Sequence, residues 1–231
     1  PTLTHTRPTT NPPTPRTTHT RSPKKINKKN EARSPTKKYP TKSYKLSMQI
    51  NKTTGLLIDC AQCPSPNKDN RPEKAPINLI VVHSISLPPG EYGGDAIENF
   101  FQNKLDKTQH PYFEEIHTLK VSSHILIKRT GEIVQFVPFN ERAWHAGQSN
   151  YQGQECCNDF SIGIELEGSD TDQFEEAQYQ QLSQLITALQ TTYPSISDNI
   201  TGHSDIAPGR KTDPGTGFDW NRINTNIKPR D

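Results

Sequence analysis

The sequence predicts a mixed α/β (α+β) fold, a central β-sheet flanked by helices. Three observations carry this. Residues 77–83 (Ile-Asn-Leu-Ile-Val-Val-His) form a short, almost wholly apolar, β-branched run, the pattern of a buried central strand. Residues 172–192 place Phe174, Leu182, Leu185, Ile186 and Leu189 at helical spacing, with Pro194 just beyond the end. Residues 122–128 and 133–137 flank Arg129-Thr-Gly-Glu132, a hairpin turn with Gly131 at its tip.

Taken in order, residues 1–47 hold 8 Pro, 11 Thr and only six apolar side chains. Such a segment cannot bury enough surface to offset its ordering entropy, so it is expected to be disordered. The only Met in the chain is Met48, where the composition changes, so 1–47 reads as an upstream extension or a basic arm and 48–231 as the folded domain. Residues 87–94 (Leu-Pro-Pro-Gly-Glu-Tyr-Gly-Gly) form a loop on punctuation alone. Residues 95–105 read as a helix with Ile97, Phe100, Phe101 and Leu105 on one face. Residues 160–167 alternate in part and read as a strand; Asp172 with Glu175 makes a cap-like pair at the start of the last helix.

The net charge of +2 over 231 residues conceals two opposed parts. Residues 1–47 carry 12 Lys/Arg and one acid, a net +11, and the remainder carries −9. The folded part is therefore no basic nucleic-acid platform; a nucleic-acid binder would have to work through the arm. No run of about 18 apolar residues is present, so no transmembrane helix and no membrane partner are expected. Gly55-Leu-Leu-Ile58 is too short for a signal-peptide core, which points to a cytoplasmic location. Four Cys do not make a disulfide scaffold. Cys60-Ala-Gln-Cys63 has redox or zinc half-site spacing but lacks a second pair, and Cys156-Cys157 reads as plain reduced thiols. A monomer is expected.

Six His lie outside the arm: His83, His110, His117, His124, His145 and His203. His83 ends the apolar strand, where a side chain projects from the sheet edge into a cleft. His203 opens a loop that reaches Asp213 ten residues later, with Lys211 between them. Two imidazoles and a carboxylate leave one position of a tetrahedral Zn²⁺ open for water, as catalytic zinc requires. Spacing alone leaves their convergence open, and a single His at a strand end is more often a hydrogen-bonded structural residue.

Five ordered segments share one resemblance: 81–94 (Val-Val-His-Ser through Tyr-Gly-Gly), Val121-Ser-Ser-His124, Arg142-Ala-Trp-His-Ala-Gly147, 157–168 (Cys-Asn-Asp-Phe-Ser-Ile-Gly-Ile-Glu-Leu-Glu-Gly), and Gly202-His203 through Lys211-Thr-Asp-Pro-Gly215. Together they resemble the AmpD-like zinc N-acetylmuramoyl-L-alanine amidases, of the type 2 amidase superfamily that also includes peptidoglycan-recognition proteins. The similarity covers roughly 50–225. It implies that His83, His203 and Asp213 bind Zn²⁺, that Glu165 is the catalytic carboxylate, and that Lys211 is its cationic partner. It also implies 1,6-anhydro-muropeptides from wall recycling as substrates. The chemistry agrees: zinc activates water towards an amide, a carboxylate shuttles its proton, and a cation stabilises the oxyanion.

Trp144 and His145 are candidate groove residues, Asn158 a candidate substrate ligand, and Tyr92 a candidate residue over the cleft. His124 reads as structural. Lys120 and Cys156 fall where similar enzymes carry Arg, so the bidentate fork for a substrate carboxylate is lost at both. Two alternatives stand beside the recycling amidase: a phage or secreted wall-lytic amidase with the same chemistry, and a non-catalytic peptidoglycan-binding module, which would lack a zinc ligand.

Overall fold

The computed structural model describes residues 47–73 and 75–223. The expectations for 1–46 therefore lie outside the described residues. Met48 and Ile50 are half buried against the core.

The chain first forms β1 (Ile50–Asn51) and β2 (Leu56–Leu57), an antiparallel pair, then β3 (Ala61–Gln62) and β4 (Lys68–Asn70). β5 (Leu79–Ile85) follows, with α1 (Ala96–Phe101) and α2 (Pro111–Ile116) after it. Next come β6 (Ile125–Ile127), β7 (Ile133–Gln135), β8 (Glu141–Ala143), and the small β9 (Asn150–Tyr151) and β10 (Gln154–Glu155) pair. β11 (Ser161–Glu167), α3 (Glu176–Thr192), β12 (Ile200–Gly202) and α4 (His203–Ile206) complete the order. The main sheet runs β12-β5-β11-β6-β7-β3. All neighbours are parallel except β6 and β7, so the sheet is mixed, as expected.

β5 and β11 are central and in register, with Ile80 opposite Ile162 and His83 opposite Glu165. Side chains alternate faces along a strand. Ile80, Val82, Ile162, Ile164 and Leu166 pack with Leu182, Leu185 and Leu189 of α3 in one core cluster. Each of those three leucines is fully buried, which stabilises by about 1.5–3 kcal/mol apiece. The odd-numbered residues face the other way. That second face carries Val81, His83, Ser161, Gly163, Glu165 and Glu167, and it is where the chemistry collects.

Several boundaries differ from expectation. β5 continues through Ile85, so His83 lies inside the strand rather than at its last residue. α1 stops at Phe101 because Asn103 takes a left-handed φ of 61°; Leu105 is buried beyond the helix. α3 begins at Glu176, not Asp172. Asp172 is engaged by Tyr92, whose hydroxyl donates to its carboxylate, and Glu175 becomes the cap, its N–H donating to Gln178 Oε1 at 2.9 Å. Gln178 Nε2 then donates to the carbonyls of Ile127 and Glu167, tying α3 to the sheet. The hairpin strands shorten to β6 and β7, and Gly131 turns between them at φ +85°. Among the described residues no helix is long and apolar enough to cross a membrane.

Candidate metal centre and catalytic site

β5 delivers His83 two residues before the strand's end, and β11 delivers Glu165 beside it. His203 is the first residue of α4, directly after β12. The turn there is fixed by Asp205, whose Oδ2 accepts from Gly202 N (2.9 Å) and Thr201 Oγ1 (2.7 Å). The loop that carries Asp213 is tied back by Ser204 N–H donating to the Asp213 carbonyl at 2.9 Å. On its flank, Asp170 accepts from Ser84 Oγ at 3.1 Å and from Thr212 Oγ1.

These elements bring His83, His203 and Asp213 together. His83 Nδ1 lies 3.0 Å from His203 Nδ1 and 3.0 Å from Asp213 Oδ2; His203 Nδ1 lies 3.1 Å from the same oxygen. The His83 and His203 rings are buried and Asp213 is partly exposed. Tetrahedral zinc with bonds of about 2.0–2.1 Å would hold its ligand atoms roughly 3.3 Å apart, so the donor set fits the metal in type, number and spacing. Asp213 is held below the usual carboxylate range: burial opposes ionisation, and the two imidazoles outweigh it. Burial first, with the neighbouring imidazole, pushes His83 down to about 4, keeping it neutral as a ligand must be.

Glu165 is 8% exposed, and its carboxyl is lifted well above the ordinary value. Burial is the main cause, the Asp213 charge adds to it, and Lys211 works against it. Lys211 is exposed at the rim of the same cavity. That cavity, about 610 Å³, also meets Trp144, His145, Phe100, Tyr112 and Ile116. A larger cavity of about 850 Å³, between residues 47–50 and α3, contains none of the metal or acid–base candidates.

The remaining candidates separate. His145 lies at the cavity floor, only 9% exposed, with Nδ1 2.9 Å from His83 Nε2. Asn158 sits below, its Oδ1 accepting from the backbone N–H groups of His145 (3.1 Å) and Ala146 (2.8 Å). Tyr92 does not line this cavity; Arg129 stacks over its ring at 4.5 Å. Lys120 is exposed next to the cavity-lining Leu119 and Val121. Cys156 borders a different cavity of about 380 Å³. His124 is buried, with Nδ1 accepting from Gly163 N–H and Nε2 donating to the Glu141 carbonyl, a structural role. Cys60, Cys63, Cys156 and Cys157 are all unpaired.

Sequence reasoning read α1 and its apolar face but missed α2 and the wall the two helices give the cavity. Pro111 at the first helical turn, with His110 capping Tyr112 N–H at 3.1 Å, was the available signal for α2.

A His–His–Asp metal site beside a buried carboxylate, at the carboxyl ends of parallel strands, is the arrangement of a metal-dependent hydrolase. The family model described as N-acetylmuramoyl-L-alanine amidase matches residues 73–216. The chain is 58% identical over 169 residues to 1,6-anhydro-N-acetylmuramyl-L-alanine amidase AmpD of Escherichia coli K12, covering 73% of this chain and 92% of that protein. It is 54% identical over 175 residues to the Haemophilus influenzae AmpD, covering 75% and 95%. A crystal structure of a selenomethionine AmpD derivative superposes with TM-score 0.74 at 56% identity, covering 76% of this chain and 97% of that one. The chain belongs to the N-acetylmuramoyl-L-alanine amidase family.

Proposed function

We propose that the chain hydrolyses the amide between the lactyl group of 1,6-anhydro-N-acetylmuramic acid and L-alanine of the peptide stem, in cytoplasmic wall recycling, as a zinc-dependent monomer. The observation that carries the reading is the meeting of Glu165 with His83, His203 and Asp213 in one cavity. Identity of 58% along 92% of the E. coli AmpD supports the anhydro substrate. Four unpaired thiols support a reducing compartment.

His83, His203 and Asp213 would hold the zinc ion, which would supply Lewis-acid polarisation of the carbonyl and a lowered pKa for water. Glu165 accepts the proton of the attacking water and returns it to the departing alanine nitrogen; its lifted pKa suits both transfers. Lys211, at the cavity rim, places positive charge near the developing oxyanion. Trp144 offers a flat face to the sugar, and Phe100, Tyr112 and Ile116 form an apolar wall across from the acid–base groups.

The test is incubation of the full chain with anhydro-muramyl-tripeptide and, separately, with intact wall, with and without chelator. Chelator-sensitive release of tripeptide from the soluble substrate is expected. Preference for intact wall would point to a wall-lytic amidase instead, and release from neither would overturn the amidase reading for this chain.

A further inference from the structure

The three candidate ligands are not held in the same way. His83 lies inside β5, and His203 opens α4 directly after β12. Asp213 lies in the loop after α4 and is partly exposed. Regular structure therefore places the two imidazoles, and the carboxylate depends on the contacts of its loop. A ligand that wanders must be immobilised when the ion binds, and that lost freedom subtracts from affinity.

The contacts of this loop converge on one residue. Asp170, half-buried, follows the end of β11. Its Oδ2 accepts from the hydroxyl of Thr212, the residue before Asp213. Its Oδ1 accepts at 3.1 Å from the hydroxyl of Ser84, the residue after His83. One carboxylate thus joins the immediate neighbours of two candidate ligands on different segments. The backbone repeats the link, because Gly217 N–H donates to the Asp170 carbonyl at 3.0 Å. The two segments lie so close that glycine is needed at both contacts. A Cβ at Gly215, where φ is +79°, would collide with the Asp170 backbone, and one at Gly217 with the Asp172 carbonyl. The chain is therefore moored to Asp170 on both sides of Asp213.

We infer that Asp170 is a positioning residue for the metal centre: by bonding Ser84 and Thr212 at once, it fixes Asp213 relative to His83. It acts through the neighbours of the ligands and is not a member of the ligand cluster. His203 has a separate brace in Asp205, which accepts from Gly202 N–H and Thr201 Oγ1. The inference rests on the metal reading above, and one of its readouts needs no metal.

The test compares the full chain with Asp170→Ala in three measurements. These are zinc affinity by chelator competition, amide hydrogen exchange after metal stripping, and KM for anhydro-muramyl-tripeptide with zinc bound. Asp170→Ala is expected to weaken zinc binding about 10–100-fold. The Gly217 amide, and the Ser204 amide that bonds the Asp213 carbonyl, are expected to exchange faster while β5 and β11 stay protected. KM is expected to stay within twofold. Asp170→Asn keeps one acceptor oxygen, and its amide can donate to the second hydroxyl, so it is expected to recover most of the affinity. Thr212→Val is expected to weaken zinc binding alone and to add little in the Asp170→Ala background.

Zinc affinity within twofold in a folded Asp170→Ala, or unchanged exchange at Ser204 and Gly217, overturns the inference. So does Asp170→Asn losing as much affinity as Asp170→Ala, which would show that the charge acts across space. A raised KM with unchanged affinity would make Asp170 a substrate contact and overturn it too. If Asp170→Ala does not fold, Thr212→Val decides by the same affinity and exchange criteria. Failure of the unaltered protein to bind zinc would overturn the metal reading, while exchange in the metal-stripped protein still decides this one.

Discussion

Glu165 and His83 are register partners on adjacent parallel strands, β11 and β5, with both side chains on the face away from α3. The candidate metal ligand and the proposed proton carrier are thereby held by two adjacent central strands of the main sheet. Neither depends on a loop for its placement, which is the condition for acid–base chemistry at a fixed distance from a metal.

This arrangement separates two losses. Glu165→Gln keeps the shape and removes the base, so turnover is expected to fall by about 10²–10⁴-fold. Zinc content by mass spectrometry is expected to stay near one per chain. Near-normal turnover would show that another group carries the proton.

The same substitution is expected to stabilise the metal-free protein at pH 7.5. Burial raises the folded-state pKa of Glu165, so the folded state holds its proton more tightly than the unfolded one. Stability is therefore lost as pH rises from the unfolded value towards the folded one. Gln removes that penalty. Urea unfolding of both forms after chelation checks it; a lower midpoint for Glu165→Gln would contradict the sign.

Acid is expected to act in the opposite direction. Burial lowers His124 and His145 well below 6.5, and His83 moves the same way to about 4. An unfolded chain takes up those protons near pH 6.5, whereas the folded one resists. Unfolding free energy of the metal-free protein is expected to drop as pH falls from about 6.5 towards 4. Three imidazoles outweigh the single opposing contribution of Glu165. Equal stability at pH 7.5 and 5.0 would count against buried neutral histidines.

Gly163→Ala is expected to cost about 1–3 kcal/mol by overpacking against His145. A thermal melt with and without zinc checks it. Unchanged melting in both states would mean that the His145 ring does not lie against β11.

Much of the site was legible along residues 161–167. The odd positions read Ser, Gly, Glu, Glu and the even ones Ile, Ile, Leu, which separates a chemical face from a core face by period alone. The candidate ligand residues were legible because metal chemistry restricts side-chain type. What was not legible depended on packing between distant segments. β12 and α4 are only 3 and 4 residues long, too short for any periodic signal. The late start of α3 reflects Asp172 being taken by Tyr92, 80 residues away. Asn158 and His145 read as candidate substrate groups because sequence shows a polar residue near a cleft; it does not show the bonds they make within the fold.

The proposed function requires His83, His203 and Asp213 to carry the zinc on which turnover depends. Its most direct test is zinc add-back to the chelator-stripped full chain, with anhydro-muramyl-tripeptide cleavage followed at each addition. Activity is expected to rise linearly and level off at one equivalent, and Asp213→Ala is expected to stay inactive at that point. Full activity without bound metal, or recovery of Asp213→Ala at one equivalent, would contradict zinc-dependent turnover at this site.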